Sequence, residues 1–347
     1  MSNQPIHVLS VLNLSEQHLA RLQAVSPRLV VSQRSLARNQ THRASTQKFT
    51  EVLTPEIEVL YAHFTPFTLD LLPNLRWVQT NSAGVDQLYG TPVWQSETTI
   101  TNASGVHAVQ IAEYALGMLL NHAHHFLKIA RLQAETHWPV MAEKLPFATR
   151  ELRGKTLGIL GYGAIGREIA RLAAAFGMRI LATKRAGRDA AFDGWTPAGT
   201  GDPSGSIPAR FYDLSELHTL LPECDMLVLA LPLSSQTHHL LGQAEFALMR
   251  RHAFLVNIGR GPLIDHEALS AALQTHRIGG AALDVTEPEP LPTDSPLWSL
   301  ENAIITPHIS GLSTYYDERI VELFCENLRR YLAGESLLNL VQRDLGY

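Results

Sequence analysis

Thr156-Leu-Gly-Ile-Leu160 runs straight into Gly161-Tyr162-Gly163-Ala164-Ile165-Gly166, and the reading of this stretch decides the fold. The first five residues read as a buried strand. The glycines that follow allow a tight turn, a close backbone approach to a pyrophosphate, and close packing of the next helix on the sheet. That helix is predicted from Arg167 to Phe176, rich in good helix formers and stopped at Gly177. A second strand, Met178–Ala182, completes the unit. Strand, GxGxxG, helix and strand in that order predict a βαβ unit that binds a dinucleotide.

Working outward, 347 residues are long for one core, and two domains are expected. A hydrophobic share of 45% with 18% charged residues describes an ordinary globular chain. The net charge of −5 comes without a dense basic run, so nucleic acid is not an expected partner. No apolar window approaches the length of about 18 residues that a membrane span needs. Cys224 and Cys325 sit in apolar segments and read as buried reduced thiols. The N-terminus lacks a charged and apolar leader, which makes the cytoplasm the expected compartment.

Before the glycine turn, residues 6–14 read as a strand, and Ser15 caps a helix that ends near Pro27. Strands follow at Glu58–His63 and Arg76–Thr80, with a helix-like run through Leu72 between them and the turn Asn81-Ser-Ala-Gly-Val-Asp86 after them. Residues 107–135 form a long helical stretch that breaks at Thr136-His-Trp-Pro139. After the turn, a segment dense in Gly, Pro, Ser and Asp between Gly187 and Arg210 reads as a long surface loop. Strands return at Met226–Leu231, Ala253–Ile258, Gly280–Asp284 and Ala303–Ile305, each after a helical segment. The chain thus holds two α/β layers of doubly wound type. If the tail from Leu312 joins the first layer, the nucleotide domain is an insertion in it.

Three strand ends downstream carry ionisable groups where open α/β sheets bind ligands. They are Val256-Asn-Ile-Gly-Arg260-Gly261, Ala282-Leu-Asp284-Val-Thr-Glu287-Pro-Glu289-Pro290, and Ile304-Ile-Thr-Pro-His308-Ile-Ser-Gly311. Together they supply what carbonyl reduction needs. A guanidinium fixes a carboxylate, an imidazolium protonates the forming alkoxide, and a carboxylate keeps that imidazolium charged and oriented.

With these segments in view, the sequence resembles the D-2-hydroxyacid dehydrogenase family, NAD(P)-dependent 2-oxoacid reductases, from Leu60 to Leu332. The resemblance implies two Rossmann-like parallel-sheet domains. An NAD(P)-binding domain (103–308) is inserted into a flavodoxin-like substrate domain (1–102 and 309–347). It implies a catalytic Arg260, Glu289 and His308, with Glu289 rather than Glu287 in the role because it lies five positions past Asp284. It places the substrate carboxylate at Arg260 and at backbone N–H groups near Ala83, Gly84 and Val85. Cofactor contacts are implied at Tyr162, Gly163, Ala164, Ile165 and Gly166, at Pro232, Thr237, Ile258 and Arg260, and at Asp284, His308 and Gly311. No metal is implied. The arm at 107–150 resembles the family's dimer contact, so a homodimer is expected. Formate dehydrogenases carry glutamine where Glu289 stands, which argues against formate. Phosphite and phosphoglycerate dehydrogenases and NADH-sensing corepressors remain alternatives.

Two questions of selectivity follow. An NAD-type fold places an acidic residue about 20 positions past the glycines, where it accepts from the ribose 2′-OH. Here Lys184 stands eighteen positions past Gly166, followed by Arg185 and Arg188, with no acid before Asp189. Cations there suit a 2′-phosphate, so NADP(H) is the expected cofactor, with NAD(H) possible. His63, Phe64 and Thr65 are plausible walls for the substrate side chain. Without an arginine cluster there, glyoxylate, hydroxypyruvate or a bulkier apolar 2-oxoacid is expected over a phosphorylated one.

Overall fold

Among the described residues of the computed structural model, the strands pair with one another in parallel and fall into two sheets, one of five strands and one of seven, with one isolated antiparallel bridge, Thr101 to Leu340. The structure describes residues 4–34, 51–63, 69–185, 187 and 189–344. Phe64, Thr65 and Arg188 lie outside the described residues. The chain divides into two units, Met1–His107 with Asp193–Pro197 and Ser313–Tyr347, and Ala108–Phe192 with Ala198–Leu312.

The first unit carries β1 (Ile6–Ser10), β2 (Leu29–Gln33), β3 (Ile57–Ala62), β4 (Trp77–Thr80) and β5 (Thr99–Thr101) in the order β2-β1-β3-β4-β5. That is the flavodoxin-like order, whose direction reverses between β1 and β3. The central strands are buried on both faces, as parallel sheets require, with the polar Gln79 and Thr80 of β4 among the buried residues. Ser15 caps helix Glu16–Gln23, its hydroxyl accepting from the His18 amide at 3.1 Å. The final helix, Tyr316–Ala333, buries Ile320, Leu323, Phe324 and Leu328 in the same core as Trp77. Strand β1 is shorter than the sequence suggests, and β2 and β5 are additional. β2 at the sheet edge alternates buried and open residues, and β5 is three residues long, so neither makes a strong apolar run.

The second unit carries β6 (Thr156–Leu160), β7 (Arg179–Thr183), β8 (Arg210–Tyr212), β9 (Met226–Leu229), β10 (Phe254–Asn257), β11 (Gly280–Leu283) and β12 (Ala303–Ile305). Their order, β12-β11-β10-β9-β6-β7-β8, is the Rossmann order extended by one strand, with the switch point between β6 and β9. A short 3₁₀ turn, Pro296–Ser299, precedes β12 in place of the expected helix. The long helical stretch is two helices, Ala108–His124 and Phe126–Ala134, parted at His125, whose φ of 58° is left-handed. The first helix is packed into the core; the second buries no residue. Cys224 and Cys325 are buried free thiols, and burial pushes Cys224 up to about 12. Among the described residues, no helix is long and apolar enough to cross a membrane.

The segment between Gly187 and Arg210 departs from the surface loop that its composition suggests. Its flanks are bolted to the helix that follows the glycine turn. Tyr162 donates its hydroxyl to Asp202 at 2.6 Å, Arg167 donates to the carbonyls of Asp202 and Ala190, and Glu168 accepts from the Gly201 amide. Its middle, Asp193–Pro197, belongs to the first unit. There Trp195 is only 9% exposed and packs in one core with Ala103 and Val106. Its amide donates to Asn339 Oδ1 at 3.1 Å. Gly105 is the counterpart, since a Cβ there would stand 1.9 Å from the Trp195 carbonyl oxygen.

Candidate active site

The glycine turn is built by crowding. Gly161 has a φ of +102°, and a Cβ on it would lie 2.6 Å from the Ala230 carbonyl oxygen, just past β9 at the switch point. A Cβ on Gly166 would lie 2.2 Å from the Gly161 carbonyl oxygen. Gly163 differs: a Cβ there would meet nothing within 4 Å, so its backbone faces open space at the start of helix Ala164–Ala175. An open glycine at the N-terminus of a 12-residue helix is the cradle that a pyrophosphate needs. The turn is tied to the end of β7, for the Gly161 amide donates to Thr183 Oγ1 at 2.9 Å and the Tyr162 amide to the Thr183 carbonyl at 3.1 Å. The amide and hydroxyl of Tyr162 both donate within the protein, which fixes the shape of the turn. Hydrogen bonding to Asp202 and burial, the larger effect, both push its phenol up.

Lys184 and Arg185 follow β7 directly. The Lys184 amide continues the ladder to the Tyr212 carbonyl, and its ammonium lies 5.6 Å from the centre of the Phe211 ring. Pro232 and Thr237 are brought together by a 2.8 Å bond from the threonine hydroxyl to the proline carbonyl. Ile258 is buried at the end of β10, and the Gly311 carbonyl accepts from Gln110.

The three ionisable side chains sit past the ends of neighbouring strands, Arg260 after β10, Glu289 after β11 and His308 after β12. His308 Nδ1 and Glu289 Oε1 are 2.7 Å apart, and both side chains are about half exposed. With Nδ1–H donated to the carboxylate, Nε2 is the nitrogen turned to a ligand. His308 has a φ of 53°, a left-handed conformation that costs a non-glycine residue about 1 kcal/mol or more. The surroundings hold it there. Its amide donates to the carbonyls of Asp284 and Thr306.

The residues that do this holding were not legible in advance. The buried Asp284 carboxylate accepts from Thr306 Oγ1 at 2.6 Å and from the amides of Ile309 and Ser310 at 2.9 Å. Expected as a cofactor contact, it acts in the structure as the anchor of the His308 loop. Tyr114, on the long helix, extends the chain with a 2.7 Å bond to Thr306, and burial pushes its phenol up to about 12. Asn257, fully buried, closes the Arg260 loop by donating to the Arg260 carbonyl and accepting from the Gly259 amide. A buried polar residue that ends an apolar strand was the only available signal.

In the first unit, the turn after β4 has its side chains and carbonyls engaged. Ser82 Oγ donates to the Gly84 carbonyl at 2.8 Å, Gln87 Nε2 donates to Ser82 Oγ, and His63 Nδ1 is 2.7 Å from Asn81 Oδ1. The amides of Ala83, Gly84 and Val85 donate to no partner among the described residues. Three successive amides without partners are what an anion-binding turn offers.

Known proteins similar to this chain fall in one family. The NAD-binding domain of D-isomer specific 2-hydroxyacid dehydrogenases matches residues 116–310. A glyoxylate reductase of Korarchaeum cryptofilum is 33% identical over 273 residues, 79% of this chain and 78% of that protein. A glyoxylate/hydroxypyruvate reductase B of Klebsiella pneumoniae is 35% identical over 274 residues, 79% of this chain and 80% of the relative. A D-isomer specific 2-hydroxyacid dehydrogenase of Xanthobacter autotrophicus Py2, solved in complex with NADPH and MES, superposes with a TM-score of 0.76 at 27% identity, covering 99% of this chain and 100% of that one.

Proposed function

The chain belongs to the D-isomer specific 2-hydroxyacid dehydrogenase family, NAD(P)-dependent oxidoreductases acting on a CH–OH group, and from that premise we propose an NADPH-preferring reductase of small 2-oxoacids. The preferred substrates are glyoxylate, hydroxypyruvate or an apolar 2-oxoacid. The observation that carries this reading is the 2.7 Å His308–Glu289 pair on the strand end beside Arg260, in the unit that holds the glycine cradle.

The nicotinamide, when bound, supplies hydride to the carbonyl carbon. Arg260 pairs with the substrate carboxylate and polarises the neighbouring carbonyl, as a planar guanidinium does best. His308 donates its Nε2 proton to the oxygen as it becomes an alkoxide, so one hydride and one proton complete the reduction. Glu289 receives the Nδ1–H and keeps the ring oriented. The open amides at Ala83–Val85 are the anion donors of the substrate domain. Lys184 and Arg185 receive the 2′-phosphate, supported by the absence of an acid after β7 and by the NADPH complex of the Xanthobacter relative. The working form is a homodimer of the 38.4 kDa chain through the arm at 107–150, where Trp138 and Met141 are 85% and 73% exposed.

One set of assays tests this. With glyoxylate, kcat/KM for NADPH exceeds that for NADH by about tenfold or more, since one lost charged contact is worth about 1.4 kcal/mol or more. The double variant Lys184→Asp, Arg185→Ser reverses that ratio. His308→Ala lowers kcat by roughly 10²–10⁴. Equal use of the two cofactors by the parent protein sinks the NADP assignment, and full turnover in His308→Ala sinks the triad.

A further inference from the structure

Outside the residues used above, one cluster combines metal-ligating side chains from two loops. His238 and His239 follow Thr237, and Glu287 stands on the segment after β11. One ligand atom from each lies within 4.8 Å of the other two. Consecutive side chains on an extended backbone point to opposite sides. Here His239 has a φ of 48°, and the two imidazoles lie side by side with ring centres 4.0 Å apart. His239 Nε2 is already 2.9 Å from Glu287 Oε2.

The backbone beneath is rigid. The His239 amide donates to the Pro262 carbonyl at 2.7 Å, Leu241 to Leu263, and Asp265 to Leu241. Gly261 lets that loop close on the Glu287 segment, since a Cβ there would stand 2.0 Å from the Thr286 carbonyl oxygen. A third imidazole, His266, stands near enough to feel both Glu287 and His239. Burial pushes its pKa down, and neither ring nitrogen has a hydrogen-bond partner among the described residues.

We propose that His238, His239 and Glu287 form a binding site for a borderline divalent transition metal of the Zn²⁺ class, stapling the loop after β9 to the segment after β11. Two imidazoles and one carboxylate are a zinc donor set that keeps a fourth position open. Ligands at about 2.0–2.1 Å in a tetrahedron stand about 3.3 Å apart. The cluster therefore closes by side-chain rotation alone, on exposed histidines over a fixed backbone. Hard cations such as Mg²⁺ are excluded by the nitrogen donors and the single carboxylate. The site departs from the metal-free expectation drawn from the sequence. Glu289 lies two residues from Glu287, so the staple pins the segment that carries it.

The test is equilibrium dialysis of the full-length untagged chain against Zn²⁺ alone, read by elemental analysis, with thermal melts in parallel. The expected result is one high-affinity Zn²⁺ per chain and a Tm raised by Zn²⁺. His238→Gln and Glu287→Gln each weaken binding by tenfold or more and abolish the Zn²⁺-dependent rise. Both side chains reach solvent, so the metal-free Tm of each variant matches the parent and shows that it is folded. Parent-like Zn²⁺ affinity in both variants places the ion on other histidines and overturns the proposal. So does an absence of binding at roughly 100 µM Zn²⁺, or equal affinity for Mg²⁺.

Discussion

The glycine turn at 161–166 and the glycine-rich segment at 189–207 look alike in composition but differ in how far side chains from elsewhere hold them. In the turn, backbone crowds backbone. Gly161 and Gly166 are required because carbonyl oxygens stand 2.6 and 2.2 Å from where a Cβ would be. In the longer segment, a Cβ on Gly205 would stand 2.3 Å from the Ala190 carbonyl oxygen, but a Cβ on Gly199 would meet nothing. Side chains hold the rest: Tyr162 from the turn, and Arg167 and Glu168 from the helix after it. Trp195 then anchors its middle in a core built by residues far away in sequence. Gly166 is crowded by its near neighbour Gly161, and that spacing can be read; Gly161 is crowded by the distant Ala230, but its φ of +102° is a local demand that glycine meets. Anchoring by distant side chains leaves only a composition, and composition alone suggests a loose loop.

Substitutions at four positions sharpen or break that comparison. The largest effect is expected for Trp195→Ala, which empties a buried site and costs about 3–5 kcal/mol in denaturant unfolding. A loss under about 1 kcal/mol would return the segment to the surface ornament its composition suggests. Next comes Gly166→Ala, which drives a methyl into a carbonyl and costs about 1–3 kcal/mol, while Gly163→Ala leaves stability unchanged and weakens NADPH binding. Equal stability of these two variants would show that the spacing, and not the contact, had been read.

An effect no larger than that of Gly166→Ala is expected for Asp202→Ala, at about 1–3 kcal/mol, because it strands Tyr162 Oη and the amides of Ser206 and Ile207. This one carries a pH signature. Burial would raise the Asp202 carboxyl, but hydrogen bonds from Tyr162, Ile207 and Ser206 outweigh it and hold the pKa below the ordinary value. A depressed acid stabilises the fold fully above its unfolded pKa of about 3.9, and that contribution is lost as pH falls through the folded value. The acid limb of the stability curve should therefore be flatter in Asp202→Asn than in the parent. Coincident limbs would take the carboxylate out of the anchoring.

Much of the site was legible because its chemistry lies on strand ends. Arg260, Glu289 and His308 each follow an apolar run, and the doubly wound order makes three such runs neighbours. The support was not legible. Asp284, Thr306 and Tyr114 form one hydrogen-bonded chain, yet Tyr114 lies on a helix whose pattern says only that one face is buried. Asn257 has one short-range signal, a polar residue closing an apolar strand, and nothing local says which carbonyl it holds. Strands β2, β5 and β8 were missed for a simpler reason. Each is at or near a sheet edge and is too short or too mixed to show a period.

By itself the sequence determined the parallel α/β class, the place of the dinucleotide turn, the residues at the strand ends and the absence of an acid after β7. These depend on apolar periodicity, on the positive φ of Gly161 and on the crowding of Gly166 by Gly161, all of which act within a few residues. Tertiary structure alone decided that a loop reading as solvent-swept carries a buried tryptophan and that Tyr162 turns its hydroxyl inward to Asp202. It also decided that Asp284 spends its carboxylate on the histidine loop and that the exposed His239 meets a glutamate 48 residues away. Each of these is a side-chain contact between segments distant in the chain. Such contacts are selected by the geometry of the completed sheets, and no local pattern encodes them.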